Sequence, residues 1–74
     1  MQEITKLNEV EFRLDTWGEN WKITVGEWDD KKWSTFAESD TWYIEMLFDH
    51  SPSIADITMK IEQYFEDLWD KAHP

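Results

Sequence analysis

The chain has 74 residues and no cysteine, and its 17 acidic and 7 basic side chains give a formal net charge of −10. A chain of this size forms one domain (1–74), disulfides and thiolate metal sites are excluded, and the charge disfavours direct binding to nucleic acid or to an anionic membrane. The charge instead favours a basic protein surface as partner. Six Trp, two Tyr and four Phe supply large apolar side chains for a small core.

The first two predicted elements are strands that form a hairpin. Apolar and charged residues alternate through Val10–Leu14, and an apolar face continues through Trp21–Val25. The turn predicted over 17–20 contains Gly18, which adopts positive φ without steric penalty. Gly26 is expected to break the second strand or to introduce a bulge.

Two more strands are predicted before the helix. A turn over Asp29–Lys32 precedes a short third strand, Trp33–Glu38, whose register is ambiguous because Trp33 and Phe36 have opposite parity. After another turn, clean alternation over Trp42–Phe48 predicts the most hydrophobic strand. We expect that strand to lie centrally in the sheet or beneath the helix.

A C-terminal helix is predicted over about 52–71. Ser51 as N-cap with Pro52 at the first helical position is one start, and Ser53 with Asp56 three residues later is the competing one. Apolar residues at helical spacing form a single stripe. The stripe comprises Ile54, Ile57, Ile61, Phe65 and Leu68.

Together these elements predict an α+β fold in two layers. An antiparallel meander of three or four strands, over about 8–49, packs one face on the C-terminal helix. Lys71 and His73 lie near the end of that helix, where positive charge suits the helix dipole. The core residues predicted from the strands are Val10, Phe12, Leu14, Trp21, Ile23, Val25, Trp42, Ile44, Met46 and Phe48.

No group of residues has the spacing of a catalytic, cofactor or metal site. His50 has serines only one and three residues away, which is too close in sequence for a Ser-His-Asp arrangement. The pairs Asp29-Asp30 and Asp49-His50 lack the spacing of a zinc or calcium loop, and we interpret them as solvated turn residues. We therefore expect a protein that is not an enzyme and has no cofactor. With no apolar leader or membrane span in the sequence, a cytoplasmic location is expected.

The predicted solvent faces are acidic. With Ile61 pointing inward, the outward helix face spans about 21 Å from Asp56 to Asp70. Two interpretations stay open: the carboxylates imitate a phosphate backbone in the basic groove of a nucleic-acid-handling protein, or they keep a Trp-rich domain soluble. The outward helix residues are Asp56, Met59, Gln63, Glu66, Asp67 and Asp70, and the acids on the outer sheet face are Glu9, Glu11, Asp15, Glu45 and Asp49.

Aromatic residues give a second candidate surface. Trp21 and Trp42 have core parity and Trp69 lies at the edge of the stripe, so these three are predicted to be structural. An exposed patch on the sheet face away from the helix is the alternative to a loop that buries the remaining aromatics. The predicted patch comprises Trp28, Trp33, Tyr43 and Leu47.

In size, charge and absence of a catalytic motif, the chain is similar to small acidic phage-encoded inhibitors of restriction, CRISPR or repair proteins. That resemblance assigns a role to no particular residue. The leading hypothesis is an inhibitor or adaptor that docks carboxylates and aromatic anchors on a basic surface of a nucleic-acid-handling protein. The second is a self-associating structural subunit, a homodimer through the Trp/Tyr sheet face; a carbohydrate- or peptide-binding module ranks third. The predicted partner-binding residues are Asp56, Met59, Glu66, Asp67, Asp70, Trp28, Trp33, Tyr43, Glu45 and Leu47.

Overall fold

The computed structural model describes residues 3–72, which form four strands and one helix. These elements are β1 (Lys6–Thr16), β2 (Glu19–Trp28), β3 (Trp33–Glu38), β4 (Tyr43–Phe48) and α1 (Ile54–Ala72). The strands make one antiparallel sheet in the order β1-β2-β3-β4, so each pairs with its neighbours along the chain. The predicted α+β meander with one C-terminal helix is confirmed. Of the two positions expected for β4, the central one is wrong because β4 lies at an edge, and the one beneath the helix agrees with the contact between α1 and β4. His73 lies outside the described residues.

The strand register gives the sheet a covered face and an open face. Directly opposed residues in antiparallel strands point to the same side, so the pairings Leu14↔Trp21 and Ile23↔Ala37 place all four residues on one face. Each large apolar side chain buried there contributes about 1.5–3 kcal/mol. The core comprises Trp21, Ile23, Val25, Ala37, Ile44, Met46 and Phe48 from the sheet, with Ile57 and Ile61 from α1.

Three predicted core or structural residues are instead exposed. Val10 has core parity, but it lies in the exposed first half of the edge strand β1, and Ile54 is the first residue of α1. Trp69, in the last turns of α1, is 63% exposed. Conversely, Thr35 and Ala37 are fully buried although neither was predicted. A polar and a small residue contribute little to a hydrophobic alternation pattern, so their positions were found only through strand pairing.

A two-residue turn, Trp17-Gly18, joins β1 to β2. It is shorter than the predicted 17–20 turn because β2 already begins at Glu19. Both turn residues have positive φ, 54° and 73°, which defines a type I′ turn. Asn-Gly is the preferred pair in such turns, and a left-handed conformation costs a bulky residue about 1–2 kcal/mol.

Gly26 does not interrupt β2, so the predicted break or bulge there is wrong. The register irregularity lies instead in β1, between Lys6 and Asn8. The side chains of Ser34 and Trp28 lie close to this position. A Cβ at Gly26 would lie 3.4 Å from Trp28 Nε1 and 3.1 Å from Ser34 Oγ.

A capping box starts the helix. The Ser53 backbone N–H donates to Asp56 Oδ2 at 3.0 Å, and the Asp56 N–H donates to Ser53 Oγ at 3.1 Å. Ser53 rather than Ser51 is therefore the N-cap. The helix begins at Ile54, two residues later than predicted, because Pro52 precedes this cap.

Candidate functional site

The β1–β2 turn places Trp17 against the C-terminal half of α1. The ring centroids of Trp17 and Phe65 lie 5.9 Å apart. Phe65 also lies 6.2 Å from Trp21 and 5.0 Å from Trp42, the latter edge-on at 84°. Phe65 is thus the centre of an aromatic cluster that joins the first turn, β2, the β3–β4 connection and the helix.

A cleft opens on the solvent side of this cluster. Two depressions, of about 510 and 420 Å³, share Trp17, Phe65 and Trp69. Trp17 is 50% exposed and Trp69 63%. We call this site the aromatic cleft, and its walls are Trp17, Trp42, Phe65 and Trp69. The carboxylates that border it form the acidic rim, which comprises Glu19, Glu66 and Asp70.

From Glu62 to its end at Ala72, α1 carries four acids against one base, Lys71. Glu62, Glu66 and Asp70 follow each other at i, i+4 spacing, so like charges repel along one row by about 0.2–0.5 kcal/mol per pair. Negative charge is also unfavourable at a helix C-terminus. We call these three residues the carboxylate row. Within residues 3–72, neither the carboxylate row nor Asp67 forms an ion pair. Two members of the row, Glu66 and Asp70, belong to the acidic rim.

The acids of the open sheet face are partly neutralised. Lys6 Nζ lies 3.5 Å from the Glu9 carboxylate, and Lys22 Nζ lies 3.8 Å from that of Glu11. Arg13 lies in the same strand and on the same face as both glutamates. The open sheet face therefore carries interleaved charges of both signs and keeps an acidic excess, because Asp15 and Glu45 form no ion pair among residues 3–72. A second group of carboxylates without an ion pair lies on the end of the helix.

The predicted aromatic patch does not form as a group of four. Trp28 has the outward orientation that its parity predicts, but it is half-buried: its Nε1–H donates to Ser34 Oγ at 2.8 Å, and Lys6 Nζ lies 5.2 Å from the ring centroid. Trp33 lies on the covered face, opposite Phe48, and packs against the core. The register of β3 thus removes Trp33 from the patch.

What remains on the open face is a strip near the edge strand β4. Tyr43 and Leu47 are 53% and 62% exposed, with Glu45 between them. Phe36 stacks on Tyr43 with centroids 6.1 Å apart and planes 19° apart. We call Phe36, Tyr43 and Leu47 the apolar strip. Phe36 was missed because the parity of β3 was ambiguous in the sequence.

The other predicted helix residues, Asp56 and Met59, lie in its first half, about 21 and about 16 Å along its axis from Asp70. Asp56 Oδ2 accepts the capping-box hydrogen bond and also lies 3.2 Å from His50 Nε2, so this oxygen is already used within the fold. Met59 is exposed beside His50. The predicted helix surface therefore divides into a structural carboxylate, Asp56, and the exposed acids at the other end.

His50 is held between two carboxylates. Its Nδ1 lies 2.8 Å from Asp49 Oδ1. Hydrogen bonds to Asp49 and then to Asp56 raise the pKa of His50 above its ordinary value. The His50 contact lowers the pKa of Asp49, and the Ser53 backbone N–H is the largest cause of the lowered pKa of Asp56. All three groups are at the surface, and the arrangement ties the β4–α1 loop to the helix start.

Other kinds of site are not found in the part of the chain that the structure describes. No group of three or more His, Asp or Glu side chains there is arranged to hold a metal ion. No helix formed by residues 3–72 has the length and apolar composition that crossing a bilayer requires.

No protein-family model, curated protein or solved structure matches the chain. Its fold and surface define an acidic α+β domain with one open sheet face and an aromatic cleft bordered by carboxylates. Trp17, Trp69 and Glu62 were missed by the sequence reasoning. Two signals point to them: a Trp immediately before Gly at a hairpin tip, and acids repeating at i, i+4 toward a helix C-terminus.

Proposed function

We propose that this protein is a non-enzymatic inhibitor or adaptor that docks its carboxylate row and aromatic cleft on a basic surface of a nucleic-acid-handling protein. One observation carries the proposal. Glu62, Glu66 and Asp70 form no ion pair within the described chain and stand where the helix disfavours them. Two of them, Glu66 and Asp70, line the same depression as the exposed indoles of Trp17 and Trp69.

Local features that oppose stability concentrate at functional sites, because their cost is offset when a partner binds. In a groove lined by Lys and Arg, the carboxylate row would be neutralised as a phosphate backbone is. The net charge of −10 would speed the encounter, and the exposed indoles would set the lifetime of the complex. Proteins that handle nucleic acids are the favoured partners because they present concentrated Lys/Arg surfaces.

The test uses the immobilised protein and the heparin-binding fraction of a cell lysate. Retained proteins are identified by mass spectrometry, purified, and titrated at low and high salt with duplex DNA as competitor. We expect affinity to fall steeply with salt, DNA to compete, and the triple variant E62Q/E66Q/D70N to bind about tenfold more weakly, since three surface charges at about 0.5 kcal/mol each give that factor.

The matched control is E9Q/E11Q/E38Q, which removes the same number of charges from the open sheet face. Glu9 and Glu11 already pair with lysines. We expect this control to weaken binding less than twofold. Equal losses in the two variants, or an affinity independent of salt, would contradict docking through the carboxylate row.

Self-association is a second candidate, favoured by the apolar strip. Tyr43 and Leu47 are exposed on a sheet face without a covering layer, and such strips are buried in two-fold dimers. Sedimentation equilibrium of the wild type and of L47K is the test. A concentration-dependent dimer that L47K dissociates supports this function, and a wild-type monomer at the highest attainable concentration rejects it.

A further inference from the structure

We propose that the aromatic cleft is a receptor for an arginine side chain presented by a basic segment of the partner. The guanidinium stacks on Trp17 and Trp69, and Glu66 and Asp70 accept its hydrogen bonds. This inference rests on the proposed function, because it names arginine as the chemical group of the basic partner surface that the protein binds.

The cleft suits this occupant in size and lining. Its larger depression, of about 510 Å³, falls within the range of about 300–1,000 Å³ typical of ligand sites. Indole faces attract cations, and carboxylates neutralise them. Arginine is favoured over lysine because its planar, weakly hydrated guanidinium stacks on aromatic rings and donates in a fork that matches a carboxylate.

The molecule already contains an occupied example of the same chemistry. Lys6 Nζ lies 5.2 Å from the ring centroid of Trp28 and 3.5 Å from the Glu9 carboxylate. At the cleft, Glu19, Glu66 and Asp70 line the same two depressions as the indoles, and no Lys or Arg among residues 3–72 lines either of them. Charge complementarity therefore calls for a cation supplied by another molecule.

The backbone conformation of Trp17 supports the same inference. A Trp with φ of 54° is a conformational outlier at a turn position where Asn is preferred. Strain of this kind is typical of positions that form binding sites. Here the strained residue forms one wall of the cleft.

The test follows the six indole N–H signals by NMR while the tripeptide acetyl-Gly-Arg-Gly-amide is added. We expect saturable shifts of the Trp17 and Trp69 signals, with a Kd on the order of millimolar for so small a ligand. Trp21 and Trp28 should not shift, because neither residue lines the cleft. The same peptide with citrulline, which is neutral and of similar shape, should produce no shift.

Two variants test the walls and the rim separately. W17N removes one wall while installing the Asn-Gly pair that the turn prefers, so it should fold and bind at least about fivefold more weakly. E66Q/D70N should weaken binding by a similar factor, and the control E9Q/E11Q should leave it unchanged. Equal shifts with the arginine and citrulline peptides, or unchanged arginine binding by W17N, would overturn the arginine receptor.

Failure here is distinguishable from failure of the proposed function. If the arginine peptide does not bind but a partner still requires the carboxylate row, the cleft inference falls and docking on a basic surface stands. If the peptide binds as expected but no partner depends on the row, the arginine receptor stands and the nucleic-acid-handling function falls.

Discussion

The rings of Trp17 and Phe65, 5.9 Å apart, attach the tip of the first hairpin to the C-terminal half of the helix. Because Phe65 also contacts Trp21 and Trp42, a single side chain links the cleft to the buried core. Stability and the shape of the cleft are therefore coupled at this residue.

The change F65A is expected to lower the free energy of unfolding by about 2–4 kcal/mol, since it removes a large ring from a packed cluster. Urea denaturation followed by Trp fluorescence measures the loss. The matched control is F36A on the open face, where the ring stacks on Tyr43. It is expected to lose about 1 kcal/mol or less. Similar losses for the two variants would show that Phe65 does not organise the cluster.

Thr35 carries a buried hydroxyl at 0% exposure whose Oγ1 has no hydrogen-bond partner among residues 3–72. The change T35V replaces that hydroxyl with a methyl group of nearly the same shape, so the penalty of an unsatisfied buried polar atom is removed. We expect a gain of about 1–2 kcal/mol in the free energy of unfolding.

The control for this change is T24V, on the open face of β2. Its hydroxyl is less buried, so a change within about 0.5 kcal/mol is expected. If T35V instead destabilises the protein, its hydroxyl is satisfied in solution, for example by a buried water molecule.

Lys31, in the turn between β2 and β3, has a φ of 67°. Its N–H donates to Trp28 O at 3.1 Å, which closes the turn. Glycine avoids the penalty of about 1–2 kcal/mol that this conformation imposes, and loses about 0.5–1 kcal/mol through its greater freedom when unfolded. The variant K31G is therefore expected to be more stable by about 0.5–1 kcal/mol.

K32G serves as the comparison, because it removes the same charge from the next position, where no positive φ is found. Thermal and urea unfolding are expected to give a less stable K32G, by about 0.5–1 kcal/mol. Stabilisation of both variants to the same extent would instead indicate an effect of charge.

The cluster around His50 predicts a pH dependence with a definite sign. The pKa of His50 is raised, so its contribution to stability is fully present below the ordinary value of 6.5 and is lost as pH rises through the folded-state pKa. The pKa values of Asp49 and Asp56 are lowered, so their contribution is present above 3.8 and is lost as pH falls through their folded-state values. The cluster stabilises the fold most between these two limits.

The loss of stability as His50 deprotonates is checked by measuring the free energy of unfolding at about pH 5.5 and about pH 8.5. The wild type is expected to lose more stability over this interval than H50Q, which has no titrating ring. An NMR titration of the wild type is expected to give a His50 pKa above 6.5, and D49N is expected to lower it. A His50 pKa at or below 6.5 contradicts the geometry.

Local patterns in the sequence were sufficient for the elements of the fold. Alternation over Val10–Leu14 and Trp42–Phe48 and the stripe through Ile57 and Ile61 predicted strands and helix correctly, because one-sided burial produces those periods. The orientation of Trp33 was not predicted. Its strand is short and carries aromatic residues on both faces, so only pairing with β2 and β4 fixes the register.

The candidate site was predicted less completely than the fold. Glu66, Asp67 and Asp70 were recognised as exposed helix acids, but the cleft beside them was not. It forms between Trp17 and Trp69, 52 positions apart in the sequence, and their proximity follows from the packing of the hairpin tip on the helix. The periodicity of either segment alone carries no information about that proximity.

The strand order β1-β2-β3-β4 also bears on how quickly the protein forms. Every ladder joins consecutive strands across a connection of two to four residues, so no pairing requires the closure of a long loop. Low contact order of this kind accelerates folding. We expect refolding in a single kinetic phase on the order of milliseconds. In that phase, neighbouring strands pair in succession and the helix packs on the completed sheet.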